Sequence, residues 1–476
     1  MNRATFRPLH GPAPSRRALA VALAAAAGCT SPDPDAGPDE PPEVYAFEGR
    51  TGESSVAYEG QVLRLVLIEL LGTEVEALTD EIDTAGWVPA EGEVFARLLA
   101  VYQYDAALVG SKPVPFETTP PLMQATLADL GTGKSLQGKV AGNDPVGQHE
   151  DWEASFVGWP GAASPDDLVQ RWFSEIETLA IDRAAGDPAL APDGTPIPVV
   201  HVSPEGRHYP ELLSKFLLGA IAYSQATDDY LDDDVPGKGI LADHEALDDD
   251  KPYTPLERQW DEAFGYFGAA RDYLRYTDEE IAGQGGRDGW KGGHHDTNGD
   301  GALDLTAEFN FTPAVYAAKR DLGAATMVDF SGTIMRAFLR GRHLLDRTDG
   351  PLSDEQMAQL RAERDRIVAT WDELVAASIV HYLNVTIAAT ETIGTADYDF
   401  LAHAKAWSEM KGLALGLQFN PRKRISDDAF LALHEALGDR PALEAGEAAA
   451  YVAGLRAARD LLADVYGFEA ADVEAW

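Results

Sequence analysis

Along most of this chain, apolar residues return every three or four positions, the spacing that lays them on one side of an α-helix. Val56, Leu63, Val66, Leu67, Leu70 and Leu71 share one side, as do Leu168, Trp172, Ile176 and Leu179 after the start signal Ser164-Pro165-Asp166. Further helices are expected over 212–231, 256–276, 313–347, 353–392, 398–419, 427–437 and 445–466. Strand-like alternation is scarce, and 196–202 is the best of it. The pattern predicts an all-α fold of two packed helical bundle halves, about 45–231 and 255–476. The acidic stretch 232–254, with Asp232-Asp233-Asp234 and Asp248-Asp249-Asp250, separates them. Loops near 113–121, 131–147 and 186–198 are long for a bundle, and long loops often carry function.

The first 44 residues break this pattern. Arg3, Arg7, Arg16 and Arg17 precede the apolar run 18–27 and then Gly28-Cys29, the order of an export signal over 1–28. Cys29 is the one cysteine in the chain, and its place after small residues predicts lipidation there. Ser15-Arg16-Arg17 leaves a twin-arginine export route open beside the ordinary one. Residues 29–44 are acidic and proline-rich with almost nothing to bury, and read as an extended tether. The expected location is therefore extracytoplasmic and membrane-anchored, periplasmic or on an outer membrane or cell surface. No later run of ~18 uninterrupted apolar residues predicts a further span.

Composition narrows the partners. Seventy-nine acidic against 38 basic residues give a formal charge of -41, which repels nucleic-acid phosphates and excludes that class. The single cysteine removes disulfides and thiolate zinc sites, so any metal must bind through oxygen or imidazole. Nucleophilic hydrolase chemistry has no G-x-S-x-G, and Ala128 to Ser135 only approaches a phosphate loop, with no strand leading into it.

Three groups of residues carry candidate chemistry. In His294-His295-Asp296-Thr297-Asn298-Gly299-Asp300-Gly301-Ala302-Leu303-Asp304, oxygen donors alternate as a calcium loop requires. Asp296, Asn298, Asp300, the Ala302 carbonyl and Asp304 fill places 1, 3, 5, 7 and 9, with Gly301 at 6. Ala307 stands where the bidentate carboxylate belongs, and Glu308 follows one residue late. The expected role is a structural calcium site, the two histidines flanking it. His381 and His403 each interrupt an apolar helical stripe, and with Asp399 they form a second candidate site for an unknown metal. His343 shares its face with Arg336, Arg340 and Arg347, which oppose a cation; Glu257, Asp261 and Glu262 are ligand types without an evident partner.

The stretches Tyr45 to Gln61, Trp260 to Phe267, Asp296 to Phe311, Ala317 to Asp321, His403 to Gly412 and Phe419-Asn-Pro421 resemble a bacterial lipoprotein family catalogued as a domain of unknown function, number 4856. That family looks related to imelysin-like proteins, exported helical bundles often associated with iron uptake and first called metallopeptidases. The resemblance implies an imelysin-like bundle, a binding role in metal uptake with a partner protein, and no established catalysis. The imelysin-like signature G-x-H-x-x-E is read as absent: Gly341-Arg-His343-Leu-Leu-Asp346 comes closest, with Asp in place of Glu, and Gly147-Gln-His149 is followed by Glu150 and Glu153 at other spacings. That absence weakens the peptidase expectation; a metal-dependent hydrolase using acidic and histidine ligands is the competing expectation, and a structural surface lipoprotein the third.

Overall fold

A computed structural model describes residues 40–148 and 150–476. The export signal, Cys29, most of the tether and His149 lie outside the described residues. Eleven helices carry the architecture: α1 Glu59–Asp83, α2 Glu93–Gln103, α3 Pro165–Ala184, α4 Tyr209–Leu217, α5 Pro255–Phe267, α6 Thr312–Gly323, α7 Phe330–Asp346, α8 Asp354–Glu391, α9 Phe400–Gly416, α10 Asp427–Leu437 and α11 Ala445–Tyr466. Among the described residues there are isolated β-bridges but no sheet, so the fold is all-α. The side chains named for the 196–202 strand instead line a loop bridged at Leu190 to Pro196 and Val202 to His208.

Local chemistry sets several ends. Ser164, Thr254, Ser353 and Ser426 accept amide protons at the starts of α3, α5, α8 and α10, the side-chain capping that satisfies orphan helix donors. α5 stops at Phe267 rather than running to 276, because Gly268 turns left-handed at φ 73° and its carbonyl accepts from Phe311. The single helix expected over 313–347 is two. The Asp321 carboxylate accepts from the amides of Phe330 and Ser331 at 2.7 and 2.9 Å, while Asp329 caps α7 through Gly332, so side chains take the bonds a continuous helix would have made. α2 escaped the sequence reading, although its Val94, Leu98 and Val101 bury one face.

Packing runs from α2 and α3 through α1 to α4, then α9, α8 and α7, with α11 on α8 and α5 against both α1 and α7. Residues 41–476 form one compact unit, and one core cluster extends from Tyr45 to Trp476. Elements before and after the acidic stretch share that core. Asp232 within it is buried and bonded to Arg422, and His244 is buried between Thr254 and the carbonyls of Leu345 and Thr348. α8 is long and apolar enough to cross a bilayer by length and composition, but its Leu374, Ala377, Val380 and Leu383 are buried inside the bundle.

α4 does not continue as a regular helix to 231. At Leu218 it widens into π-helical turns, Leu218–Tyr223 and Ala226–Tyr230, a geometry that concentrates at functional sites. Here α4 meets α9 through two glycines: a Cβ on Gly219 would sit 2.5 Å from the Gly416 Cα. At the other end of α4, the His208 amide donates to Ser408 of α9.

Candidate metal centre at a paired-histidine turn

The turn before α4 is built by its backbone. Ser203 donates to the Arg207 carbonyl at 3.0 Å, Gly206 donates to Ser203, and Gly206 takes the left-handed φ of 77° that the reversal needs. Tyr209 then donates to the His201 carbonyl, which sets His201 beside His208, ring centroids 4.9 Å apart. Ser408 on α9 accepts the His208 amide at 2.8 Å and fixes the turn to the core.

Burial holds both imidazoles neutral. It lowers His201 to about 3, with the neighbouring His208 adding to the effect, and lowers His208 to about 4. Each ring keeps a buried Nδ1 with no hydrogen-bond partner among the described residues. A neutral imidazole nitrogen of this kind accepts a proton or binds a borderline metal ion.

Glu211, one turn into α4, is engaged elsewhere. Lys215 Nζ lies 2.8 Å from its Oε2 and Lys405 Nζ 3.0 Å from its Oε1. Burial would raise its carboxyl, but the two ammonium groups outweigh that and hold it down to about 2. Glu409 faces the same cluster 4.0 Å from Lys215, and burial together with Glu211 pushes it up to about 7 against the two lysines. Lys215 itself sits 5.7 Å above the Tyr316 ring, whose hydroxyl meets that of Tyr382 at 3.1 Å. The arrangement therefore offers two imidazole donors, while Glu211, the carboxylate whose charge acts on both rings, is neutralised by lysines.

Sequence reasoning missed this site. Gly206-Arg-His208-Tyr-Pro-Glu211 spells G-x-H-x-x-E in full, so the expectation that the signature is absent is corrected. The signal was the spacing itself, passed over because it falls in a turn and not on a long apolar stripe. At the position taken as closest, Gly341 instead packs against Trp260, where a Cβ would lie 2.0 Å from the indole, and Arg342 is the buried member. Arg336 and Arg340 pair with Asp329 and Glu363. Glu257 and Asp261 find their partner in Arg342, and Glu262 pairs with Arg258.

His381 and His403 are not brought together. His381 Nδ1 bonds the Trp476 carbonyl at 2.7 Å, whereas His403 Nε2 meets Thr390 Oγ1 at 3.0 Å and its Nδ1 meets the Tyr398 hydroxyl at 3.3 Å. Thr390 stands nine residues beyond His381 on the same helix, about 13 Å along its axis at ~1.5 Å per residue. Asp399 is spent capping α9 through Leu401 and Ala402. Joint ligation by these three residues is excluded by that separation.

In the loop 296–308 the oxygens serve its own backbone. Asp296 accepts from Gly299, Asp300 and Gly301, Asn298 from Asp300, and Asp300 from Ala302. Asp304 accepts from Gln124 and Thr306. Buried Glu308 reaches back to the amides of Thr297, Asn298 and Asp304. Among the described residues, Asp232, Asp233 and Asp234 alone place three His, Cys, Asp or Glu donor atoms within 4.8 Å of one another. Arg422 and Arg364 already occupy that cluster as counter-ions.

The model of the family described as Domain of unknown function (DUF4856) matches residues 167–280, a stretch that includes His201, His208, Glu211 and Lys215. No curated protein and no solved structure matches the chain.

Proposed function

We propose that this chain, with its DUF4856 segment folded around the His201–His208 pair, is a lipid-anchored extracytoplasmic protein that binds a metal ion or metal complex as a component of metal uptake. The observation that carries the reading is the pair of neutral imidazoles with bare Nδ1 atoms. Two donors are half a coordination shell, since zinc and related ions take four or more. A metal arriving with ligands of its own suits such a half-site better than a bare ion does. Iron as the cargo rests on the resemblance to imelysin-like proteins, and the anchor on Gly28-Cys29.

Titrating the purified protein with Co(II), Zn(II) and Fe(II), followed by calorimetry and by the Co(II) visible spectrum, tests the site. One equivalent is expected to bind, and His201→Ala/His208→Ala to abolish it. Unchanged binding in the double variant overturns the reading. For the anchor, Cys29→Ser is expected to move the protein from the membrane to the soluble fraction; a wild-type chain without lipid mass overturns that part.

The reading includes a structural calcium ion in the loop 296–308. Support comes from the alternating oxygens and from Glu308, whose buried carboxylate reaches across the loop from one place beyond the usual twelfth. The hydrolase alternative keeps one supporting observation, the Glu409 carboxyl near 7, where a general base works best. Glu211, held by two lysines, does not meet that need.

A further inference from the structure

Beyond the histidine turn, a solvent-open groove of about 850 Å³ lies at the end of the bundle. Its sides are the loop 191–198, the turn 393–401 between α8 and α9, and residues 443–445 at the start of α11. Half-buried Ile393, Phe400 and Leu401, with buried Ile197 and Leu443, supply an apolar floor. Ile197 also belongs to a small apolar cluster separate from the main core, formed with Val202 and Ala404.

The polar character of the groove is one-sided. Its lining holds Asp193, Asp399 and Glu444 but no Lys, Arg or His. Asp399 is held in place by the amides of Leu401 and Ala402, and Asp193 by the amide of Thr195, which keeps its carboxyl below the usual range. The loop's own amides are largely engaged. Ala191, Gly194 and Ile197 spend their amides on carbonyls within the loop, Thr195 spends its own on Asp193, and Pro192, Pro196 and Pro198 have none. The hydroxyls of Thr195, Thr395 and Tyr398 complete the polar lining, so the groove sets three carboxylates and no cation above an apolar floor. Carboxylates without cations, in a chain of charge -41, select a partner rich in positive charge.

We propose that this groove docks an extended, basic segment of a partner polypeptide, its Lys or Arg side chains meeting Asp193, Asp399 and Glu444 and its apolar side chains resting on Ile197, Phe400 and Leu401. The metal site plays no part in this inference. An extended segment fits because it presents side chains alternately, apolar ones down and basic ones to the rims.

Fluorescence anisotropy with a labelled octapeptide alternating arginine and leucine, at about 0.15 M salt so that long-range attraction is screened, tests it on the full chain. The variant Asp193→Asn/Asp399→Asn/Glu444→Gln keeps the side-chain oxygens that accept the loop and cap amides and is expected to bind about tenfold more weakly. A matched variant, Asp427→Asn/Asp428→Asn/Glu435→Gln on exposed positions of α10, removes the same charge elsewhere and is expected to change binding less than about twofold. Thr395→Trp, which fills the groove without altering charge, is expected to abolish binding. Equal losses in the two charge variants, retained binding in Thr395→Trp, or equal binding of the glutamate-for-arginine peptide overturns the proposal.

Discussion

Arg342 on α7 donates from Nε to Asp261 Oδ1 on α5 across 3.0 Å, and neither side chain reaches solvent. The same guanidinium bonds Glu257 Oε1 at 3.0 Å and Ser55 Oγ at 2.6 Å, while Tyr45 donates to Asp261 at 2.7 Å. Where the folded body begins, the chain is thus tied to two helices far along the sequence. Arg342→Met strands two buried carboxylates and is expected to cost about 3–5 kcal/mol. Adding Glu257→Gln and Asp261→Asn removes the stranded charges and should recover part of that loss. Urea denaturation measures both; a loss below about 1 kcal/mol for the single variant would show that the carboxylates find other counter-ions.

Lys405 and Lys215 both pair with Glu211. Replacing the half-exposed Lys405 with Met frees one Glu211 oxygen to act as a third donor beside His201 and His208. Affinity for Zn(II) is expected to rise by about tenfold, or ~1.4 kcal/mol, in calorimetry. Unaltered or weaker affinity would mean that Glu211 does not face the metal.

Lys411 is a buried amine 2.9 Å from His434 Nδ1 and 5.8 Å from the Trp159 ring. Burial lowers it to about 7 from its ordinary 10.5. Between those values the unfolded lysine holds a proton that the folded one has released, so the unfolded state binds more protons and stability rises with pH. Below about 7 both states are protonated and the folded one bears the full penalty. Lys411→Met is expected to flatten this slope between pH 7.5 and 9.5 and to stabilise the protein at pH 7.5 by about 1–3 kcal/mol. An identical slope in the variant, measured by denaturation across that range, would assign it to other groups.

Close approach of α4 and α9 depends on Gly219 and Gly416 lacking side chains. Gly219→Ala places a methyl 2.5 Å from the Gly416 Cα and must push the helices apart, at about 1–3 kcal/mol. Because Ser408 on α9 holds the His208 amide, metal affinity should fall with stability. A variant with wild-type melting temperature would show that the π-helical turn absorbs the methyl.

Calcium is expected to raise the melting temperature of the chelator-treated protein, and Asp296→Ala/Asp300→Ala to remove that rise. Scanning calorimetry with and without millimolar calcium, the range of extracellular sites at roughly 10⁻⁴ to 10⁻³ M, makes the comparison. A calcium effect undiminished in the double variant would place the ion elsewhere.

Helix identity was legible in the sequence wherever a long apolar stripe met a capping residue. Residues 427–437 and 445–466 are helical over the spans their periodicity predicts, and Ser353 starts α8 with a capping box. Those features depend on near neighbours, and near neighbours are what a sequence displays. The break at Gly323, the π-helical turns after Leu217 and the left-handed stop at Gly268 were harder to read. In the first, competition for backbone amides decides the outcome, and the second lies where Gly219 meets Gly416 of α9.

Pairing between helices was decided by tertiary structure. His381 and His403 sit on equivalent faces of consecutive helices, yet the ring positions along α8 and α9 send one to Trp476 and the other to Thr390. Periodicity reports which way a side chain points and not its height against a neighbouring helix. His201 and His208 meet because a five-residue reversal folds them together, a contact written in Ser203, Pro204 and Gly206 rather than in any helical stripe. Residue types, spacing and charge set what this chain can bind. Which histidines on separate helices meet, and which carboxylates the lysines and arginines have already neutralised, follows only from helix packing such as that of α4 on α9 and α5 on α7.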